Sequence, residues 1–221
     1  MKRKTGHLPK FWQSYETSFR NGLPTDIDEV NFVALDTETT GFHQKKDRIL
    51  SIGALRLVNN EIKAKDAFEV FLNQSTFNSS TVEIHGIRRK GSLERLTELE
   101  GLKILLKLLE NAVIVAHHTA FDVGMINAAL NRNGMPKLIN PSVDTALLYN
   151  KTLRRSERKT EGNFSLDHLA EVFSIAKPDR HTALGDAYIT AIAFMHIIEK
   201  LKPISPKQLL KKDRFWEFWK F

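Results

Sequence analysis

Between two stretches of helical period, residues 112–116 (AVIVA) form a short, unbroken, β-rich apolar run. Such a run reads as a central strand, because a half-exposed one would alternate with polar residues. Helical spacing flanks it on both sides. Leu93, Leu96, Leu99, Leu102, Leu105 and Leu106 lie on a helix entered at Ser92, with Glu94 and Glu98 near its start, and running to about Glu110. A second helix follows from about Phe121 to Asn131. Helix, strand and helix in succession predict an α/β fold.

The rest of the chain extends that pattern. Residues 31–36 (NFVALD) run apolar and stop at a carboxylate, as a buried strand does when it reaches a site. Residues 48–57 and 61–72 alternate loosely on either side of Asn59-Asn60, a turn-prone pair, and predict an antiparallel hairpin. A short strand into Asp144, a basic loop from Lys151 to Lys159, a helix near Leu166–Phe173 and a long helix from about Thr182 to Leu201 complete the order. The expected architecture is a mixed central sheet with helices on its faces.

Composition excludes several classes. There is no cysteine, which removes disulfide frameworks, thiolate zinc sites and cysteine nucleophiles. The apolar stretch Ile189–Ile198 is about half the ~20 residues that span a bilayer. No signal-like apolar run follows Lys2, Arg3 and Lys4, so the expected location is cytoplasmic. The net charge of +7 is unevenly placed. Residues 1–24 carry five Lys or Arg against Glu16, and residues 200–221 carry seven against Asp213 and Glu217. The body between them holds 21 cations and 23 anions. All three tryptophans, Trp12, Trp216 and Trp219, lie in the basic ends. The expected organisation is a basic-aromatic extension over 1–30, a domain over 31–201 and a basic-aromatic tail over 202–221. Residues 1–30 show no convincing period.

Several carboxylates fall where strands end. Asp36 and Glu38 point to one side of an extended segment, since strand side chains alternate, and such a pair can share a cation. With 11 Asp and 15 Glu, roughly one Asp-x-Glu arises by chance, so the weight comes from context: an apolar strand before it and the small residues Thr39-Thr40-Gly41 after it. Asp122 opens a helix just after AVIVA, near a strand's carboxyl end, where α/β folds place ligands; a first-turn Asp also suits the helix dipole. His181 precedes the long helix and Asp186 lies in its second turn, so both can face one cleft.

In this order the motifs resemble the DnaQ-like (DEDDh) 3′→5′ exonuclease superfamily. VALDTETTGF (33–42), VAHHTAFDVGMI (115–126) and HTALGDAYITAIAF (181–194) match its three motifs, and EIHGI (83–87) and FSLDHLAEVF (164–173) agree in position and style. The resemblance covers about residues 31–200. It implies an RNase H-like fold and two divalent ions, Mg²⁺ or Mn²⁺, held by Asp36, Glu38, Asp122 and Asp186, with His181 as general base. It further implies that Thr39, Thr40, His85 and Gly86 contact the 3′-terminal nucleotide. A tyrosine-type member would carry Tyr in place of His181. His118 stands where the family usually has Asn, a position that helps hold the nucleotide or strand, so the departure bears on substrate preference. Charge chemistry agrees with metal binding: four crowded carboxylates repel by roughly 3 kcal/mol per pair at ~5 Å and an effective dielectric near 20.

The substrate expected from the resemblance is the 3′ end of single-stranded DNA, with a polymerase or clamp as the partner class for the terminal extensions. Phe42 and the Lys151–Lys159 loop have the aromatic and basic character of single-strand binding. Two other readings stand beside it: an RNA-trimming enzyme of the same fold, and a non-catalytic nucleic-acid or polymerase-binding module, against which the presence of all five catalytic-type residues argues. The C-terminal tail has three uses open to it: stacking on nucleic acid, docking a partner, or folding back onto Phe11 and Trp12. Gln208-Leu209-Leu210 has only a trace of a clamp-binding peptide.

Overall fold

A computed structural model describes residues 8–75, 86–87, 94–159, 164–177 and 179–210. Its centre is a six-stranded sheet built from β1 (Asn31–Thr39), β2 (Ile49–Val58), β3 (Glu61–Leu72), β4 (Arg95–Leu96), β5 (Ala112–Ala116) and β6 (Ser142–Asp144), in the order β4-β3-β2-β1-β5-β6. β1, β2 and β3 form an antiparallel meander, while β5 and β6 add parallel to β1. The mixed sheet expected from the sequence is therefore present. The β2–β3 hairpin turns at Asn59 and Asn60, both at φ near +50°, a left-handed pair that asparagine adopts readily and that matches the twist of the strands.

Alternation along the strands divides the core in two. Val33 and Leu35 of β1, with Ala112, Ile114 and Ala116 of β5, face α1 (Lys10–Ser18), α2 (Glu98–Leu108) and α3 (Ala120–Arg132). Phe32 and Ala34, with Val113 and Val115, face α4 (Thr145–Thr152), α5 (Leu166–Val172), α6 (Ala183–Leu201) and the short α7 (Pro206–Leu210). AVIVA is buried at all five positions, because helices cover it on both sides.

Three boundaries differ from the sequence reading. α2 begins at Glu98 rather than after Ser92, because Thr97 and Glu100 form a reciprocal capping box: the Thr97 hydroxyl accepts from the Glu100 amide, and the Glu100 carboxylate accepts from the Thr97 amide at 2.9 Å. Lys151 belongs to the last turn of α4, so the basic loop starts after Thr152. Residues 10–18, which lack a clear period, are a helix whose Trp12 and Tyr15 are buried. The Tyr15 hydroxyl donates to Asn140 Oδ1 at 2.5 Å and accepts from the Ile139 amide, while the Asn140 amide donates to the carbonyls of Leu109 and Ala112. That tertiary network, rather than local propensity, holds α1 against α2 and β5. Leu93 and most of the 83–87 motif fall outside the described residues, as do residues 211–221 with Trp216 and Trp219.

Candidate active site

The carboxyl ends of β1, β5 and β6 lie side by side; the chain leaves β1 toward the β4 edge of the sheet and crosses back from that edge, through α2, to β5 on the other side of β1. Such a switch point leaves a crevice beyond the strand ends. β1 overshoots its pairing with β5, which stops at Ala34↔Val115, and so carries Asp36 and Glu38 past the covered part of the sheet. Both carboxylates share the face of Phe32 and Ala34, the face under α6.

α6 is brought onto that face by a missing side chain. Gly53 on β2 pairs with Asp36 and also with Glu69 on β3, and a Cβ built on it would lie 2.1 Å from the Ala183 carbonyl carbon. Only glycine lets the first turn of α6 settle so close to the sheet. There the Glu69 carboxylate accepts from the Ala183 amide at 3.1 Å, an anion on a helix N-terminus. Thr182 caps the same helix through the Gly185 amide at 3.1 Å, and a Cβ on Gly185 would meet the Asp179 carbonyl at 2.2 Å. These contacts fix Asp186, which is buried in the first turn rather than the expected second because the helix starts at Ala183, above Asp36.

One oxygen each of Asp36, Glu38 and Asp186 lie within 4.8 Å of one another. Asp122 reaches the strand from the opposite face. Its Oδ1 accepts the Thr37 hydroxyl at 2.7 Å, and the alternation of β1 is what puts Thr37 there, between the two acids. Burial pushes the Asp36 carboxyl well above the usual range, and repulsion from Asp122, Asp186 and Glu38 adds to it. Glu38 is pushed up to about 7 by burial and then by Asp186, with Arg180 pulling it back. Asp122 is raised by burial, against the lowering effect of the Thr37 hydrogen bond. Asp186 is raised by burial and held back by Arg180, with which it forms a close ion pair. Hard oxygen donors that cannot all ionise together suit divalent cations such as Mg²⁺ or Mn²⁺, so the donor set fits a metal centre.

His181 is exposed on the turn before α6, with φ +68°; its amide donates to Asp186 Oδ1 at 3.2 Å. The Arg180 guanidinium lies 3.3 Å from its Nδ1 and makes a two-pronged pair with Asp167 of α5 at 3.1 Å for each contact. Sequence reasoning missed Thr37, Glu69, Gly53, Asp167 and Arg180. Only the Arg180-His181 adjacency was open to view, since the other links join residues far apart in sequence.

The remaining expected positions are more dispersed. The Thr39 hydroxyl donates to the Gly41 carbonyl, and that of Thr40 donates to Asp47 while accepting from the Arg48 amide. Those hydroxyls shape the loop after β1, and both threonines are buried. Gly86 is exposed with φ +69°, and His85 lies outside the described residues. His118 is exposed with φ +59°, its ring 4.5 Å from that of His117. Asparagine and histidine both enter this left-handed region more readily than most residues, which explains why the backbone tolerates histidine where the family usually has Asn. His117 points inward, its Nδ1 2.9 Å from the Thr145 hydroxyl, and burial lowers its pKa to about 4.

Comparison with known proteins places this geometry. The RNase T model, described as "Exonuclease", matches residues 33–194. A DNA polymerase III PolC-type protein of Caldanaerobacter subterraneus subsp. tengcongensis is 33% identical over 182 residues, 82% of this chain and 12% of the relative. A DNA polymerase III subunit epsilon-like protein of Rhodobacter capsulatus is 34% identical over 182 residues, 80% of this chain and 25% of the relative. The chain thus spans a quarter or less of the length of these relatives. Among solved structures, E. coli exonuclease I in complex with a dT13 oligonucleotide superposes with a TM-score of 0.68 at 19% identity, over 79% of this chain and 42% of that one. Exonuclease X in complex with 5′ overhanging duplex DNA gives 0.60 at 18% identity, over 81% and 97%. The fold is RNase H-like, as the motifs led one to expect. No described helix is long and apolar enough to cross a membrane.

Proposed function

The chain belongs to the DnaQ-like exonuclease family, and from that premise we propose a metal-dependent 3′→5′ exonuclease of the histidine type. It hydrolyses phosphodiester bonds at the 3′ end of single-stranded DNA and releases nucleoside 5′-monophosphates. The observation that carries this reading is the convergence of Asp36, Glu38 and Asp186 within 4.8 Å, beside the turn that bears His181. Asp36, Glu38, Asp122 and Asp186 would hold two Mg²⁺ or Mn²⁺ ions, which supply the positive charge that acidifies water and stabilises the in-line displacement at phosphorus. His181 takes the proton of the attacking water, whose oxygen bonds to phosphorus as the P–O3′ bond breaks and leaves a new 3′-hydroxyl on the shortened strand. Thr37 orients Asp122 through its hydroxyl, and Glu69 holds the start of α6 so that Asp186 stays in register with Asp36. The names of the relatives support DNA as the polymer and a DNA polymerase as the partner.

The test follows 5′-labelled single-stranded DNA and its RNA counterpart with Mg²⁺, Mn²⁺ or EDTA. Metal-dependent laddering from the 3′ end is expected, abolished in Asp36→Ala and reduced by about 10²–10⁴-fold in His181→Ala. Absence of cleavage of either polymer would overturn the proposal and leave a binding module.

A further inference from the structure

The carboxylate crevice repels the polymer it is proposed to cut, and the body of the chain, residues 25–199, carries two more anions than cations. Attraction for a polyanion must come from a local surface. Residues 151–159 concentrate Lys151, Arg154, Arg155, Arg158 and Lys159 against the single anion Glu157. A charge run is ordinarily just solvated, but this one is shaped. The Asn150 side chain pairs twice with the backbone of Lys159 nine residues on, donating to its carbonyl at 2.8 Å and accepting from its amide at 3.0 Å. Arg158 turns its guanidinium inward onto the carbonyls of Leu153 and Lys151, at 3.2 and 3.1 Å. Glu157 folds back on the Arg154 amide at 3.2 Å. One cation and the one anion are thus used to build the loop. Arg154 and Arg155 stay exposed, with no ion-pair partner among the described residues.

The loop is also joined to the crevice. Lys159 Nζ lies 4.4 Å from the centre of the Phe164 ring, which stacks on His168 of α5 with the planes 23° apart. The same α5 carries Asp167, the anchor of Arg180 beside His181 and Asp186. We propose that the loop over residues 153–159 is a preformed site for the sugar–phosphate backbone of a single strand, with Arg154 and Arg155 as its phosphate contacts, lying upstream of the 3′-terminal nucleotide. Preorganisation lowers the entropic cost of binding, and phosphate neutralisation by two arginines contributes about 1.4 to the slope of log K against log salt on a single strand. The assignment of the terminal nucleotide to the crevice rests on the proposed function; the loop's affinity for a polyanion does not.

The experiment has two arms. Binding of a fluorescent oligothymidylate by anisotropy in EDTA, over a salt series, compares the wild-type chain with Arg154→Ala/Arg155→Ala and Arg154→Lys/Arg155→Lys. The alanine pair is expected to weaken binding about tenfold or more near 0.1 M salt and to flatten the slope by about 1.4; the lysine pair should retain most of both. Unchanged affinity and slope in the alanine pair overturn the proposal, even if the crevice is an active exonuclease. The second arm compares kcat/KM on the oligonucleotide with that on the p-nitrophenyl ester of thymidine 5′-monophosphate, which is too short to reach a distant contact. The expected loss in the alanine pair is at least tenfold larger on the oligonucleotide. Equal losses on both mean that the loop supports the fold and not the strand, and also overturn it. Hydrolysis of neither substrate by the wild type would overturn the exonuclease reading alone, since the binding arm still decides the loop.

Discussion

The two faces of β1 solve opposite problems at the same strand end. On the α6 face, Asp36 and Glu38 meet Asp186, so three like charges are packed together with Arg180 as the nearby cation. On the α3 face, one residue away, Thr37 gives Asp122 a hydroxyl partner at 2.7 Å. The first arrangement stores repulsion that a bound cation would relieve; the second holds a carboxylate in place. An acidic site of this kind costs stability on one face and is steadied from the other. Asp36→Asn tests that contrast with the largest effect expected. Activity should fall by about 10³-fold or more, because the group nearest all the other acids is lost. In EDTA the same protein should melt a few degrees higher than the wild type, because one repulsive charge is gone. A lower melting temperature in EDTA would show that the cluster is not under strain.

Gly53→Ala acts on the charged face alone, through packing. The new methyl meets the backbone of Ala183 and Leu184, which cannot rotate away as a side chain tip could. α6 must lift, at a cost of about 3 kcal/mol in urea unfolding, and with it Asp186 leaves its place above Asp36. Activity should fall further than the loss of folded protein accounts for. Wild-type stability in this variant would mean that α6 has room to spare and that Gly53 does not set the spacing of the acids.

How far these features were legible in the sequence follows from which contacts are local. The hairpin at Asn59-Asn60 and the central position of AVIVA could be read, since each is written in consecutive residues; β4 could not, because Leu96 fits the helical spacing of the leucines that follow it and its strand exists only by pairing with Leu72. The three acidic segments could be read too, because motif order carries them. Helix α1 could not: Trp12 and Tyr15 are fixed by Asn140 and Ile139, about 125 residues away, and no period within 1–30 encodes that. Gly53 and Glu69 were equally silent. Their meaning depends on α6 crossing the sheet at one register position, which a pattern of period two does not announce. Ser92 misled for the reverse reason, since Thr97 offers the same cap with Glu100 in place to complete it.

Thr37→Val acts on the other face. The methyl replaces the hydroxyl at nearly constant volume, so the loss is the hydrogen bond to a buried carboxylate, about 1–3 kcal/mol with Asp122 ionised. The penalty should shrink in mildly acidic buffer, where Asp122 protonates and no longer needs a donor so strongly. Urea unfolding in EDTA at two pH values measures it, and a pH-independent loss would assign Thr37 to packing instead. Activity is expected to fall less than in Asp36→Asn, because Asp122 itself is still present.

The smallest effect is the pH dependence of the metal-free fold, and its sign is set by the same two faces. Glu38 titrates near 7 in the folded chain against 4.5 when free, and Asp36 and Asp122 are raised as well. A carboxyl with a raised folded pKa holds its proton in the native state after the unfolded chain has released it. Stability is therefore greatest below the unfolded value and declines as pH rises through the folded one. His117 works the other way below its ordinary 6.5, because its buried ring stays neutral down to about 4 while the unfolded chain takes up a proton. The two trends oppose each other between about pH 4.5 and 6.5, and only the carboxylates still titrate above that. From about pH 6.5 to 8 in EDTA, stability should thus decline, on the order of 1 kcal/mol after allowance for solvent screening. Glu38→Gln should flatten that decline, and saturating Mg²⁺ should abolish it by favouring the ionised acids. A metal-free stability that rises across the same interval would mean that the acids on the α6 face are already ionised at neutral pH and are balanced by Arg180 alone.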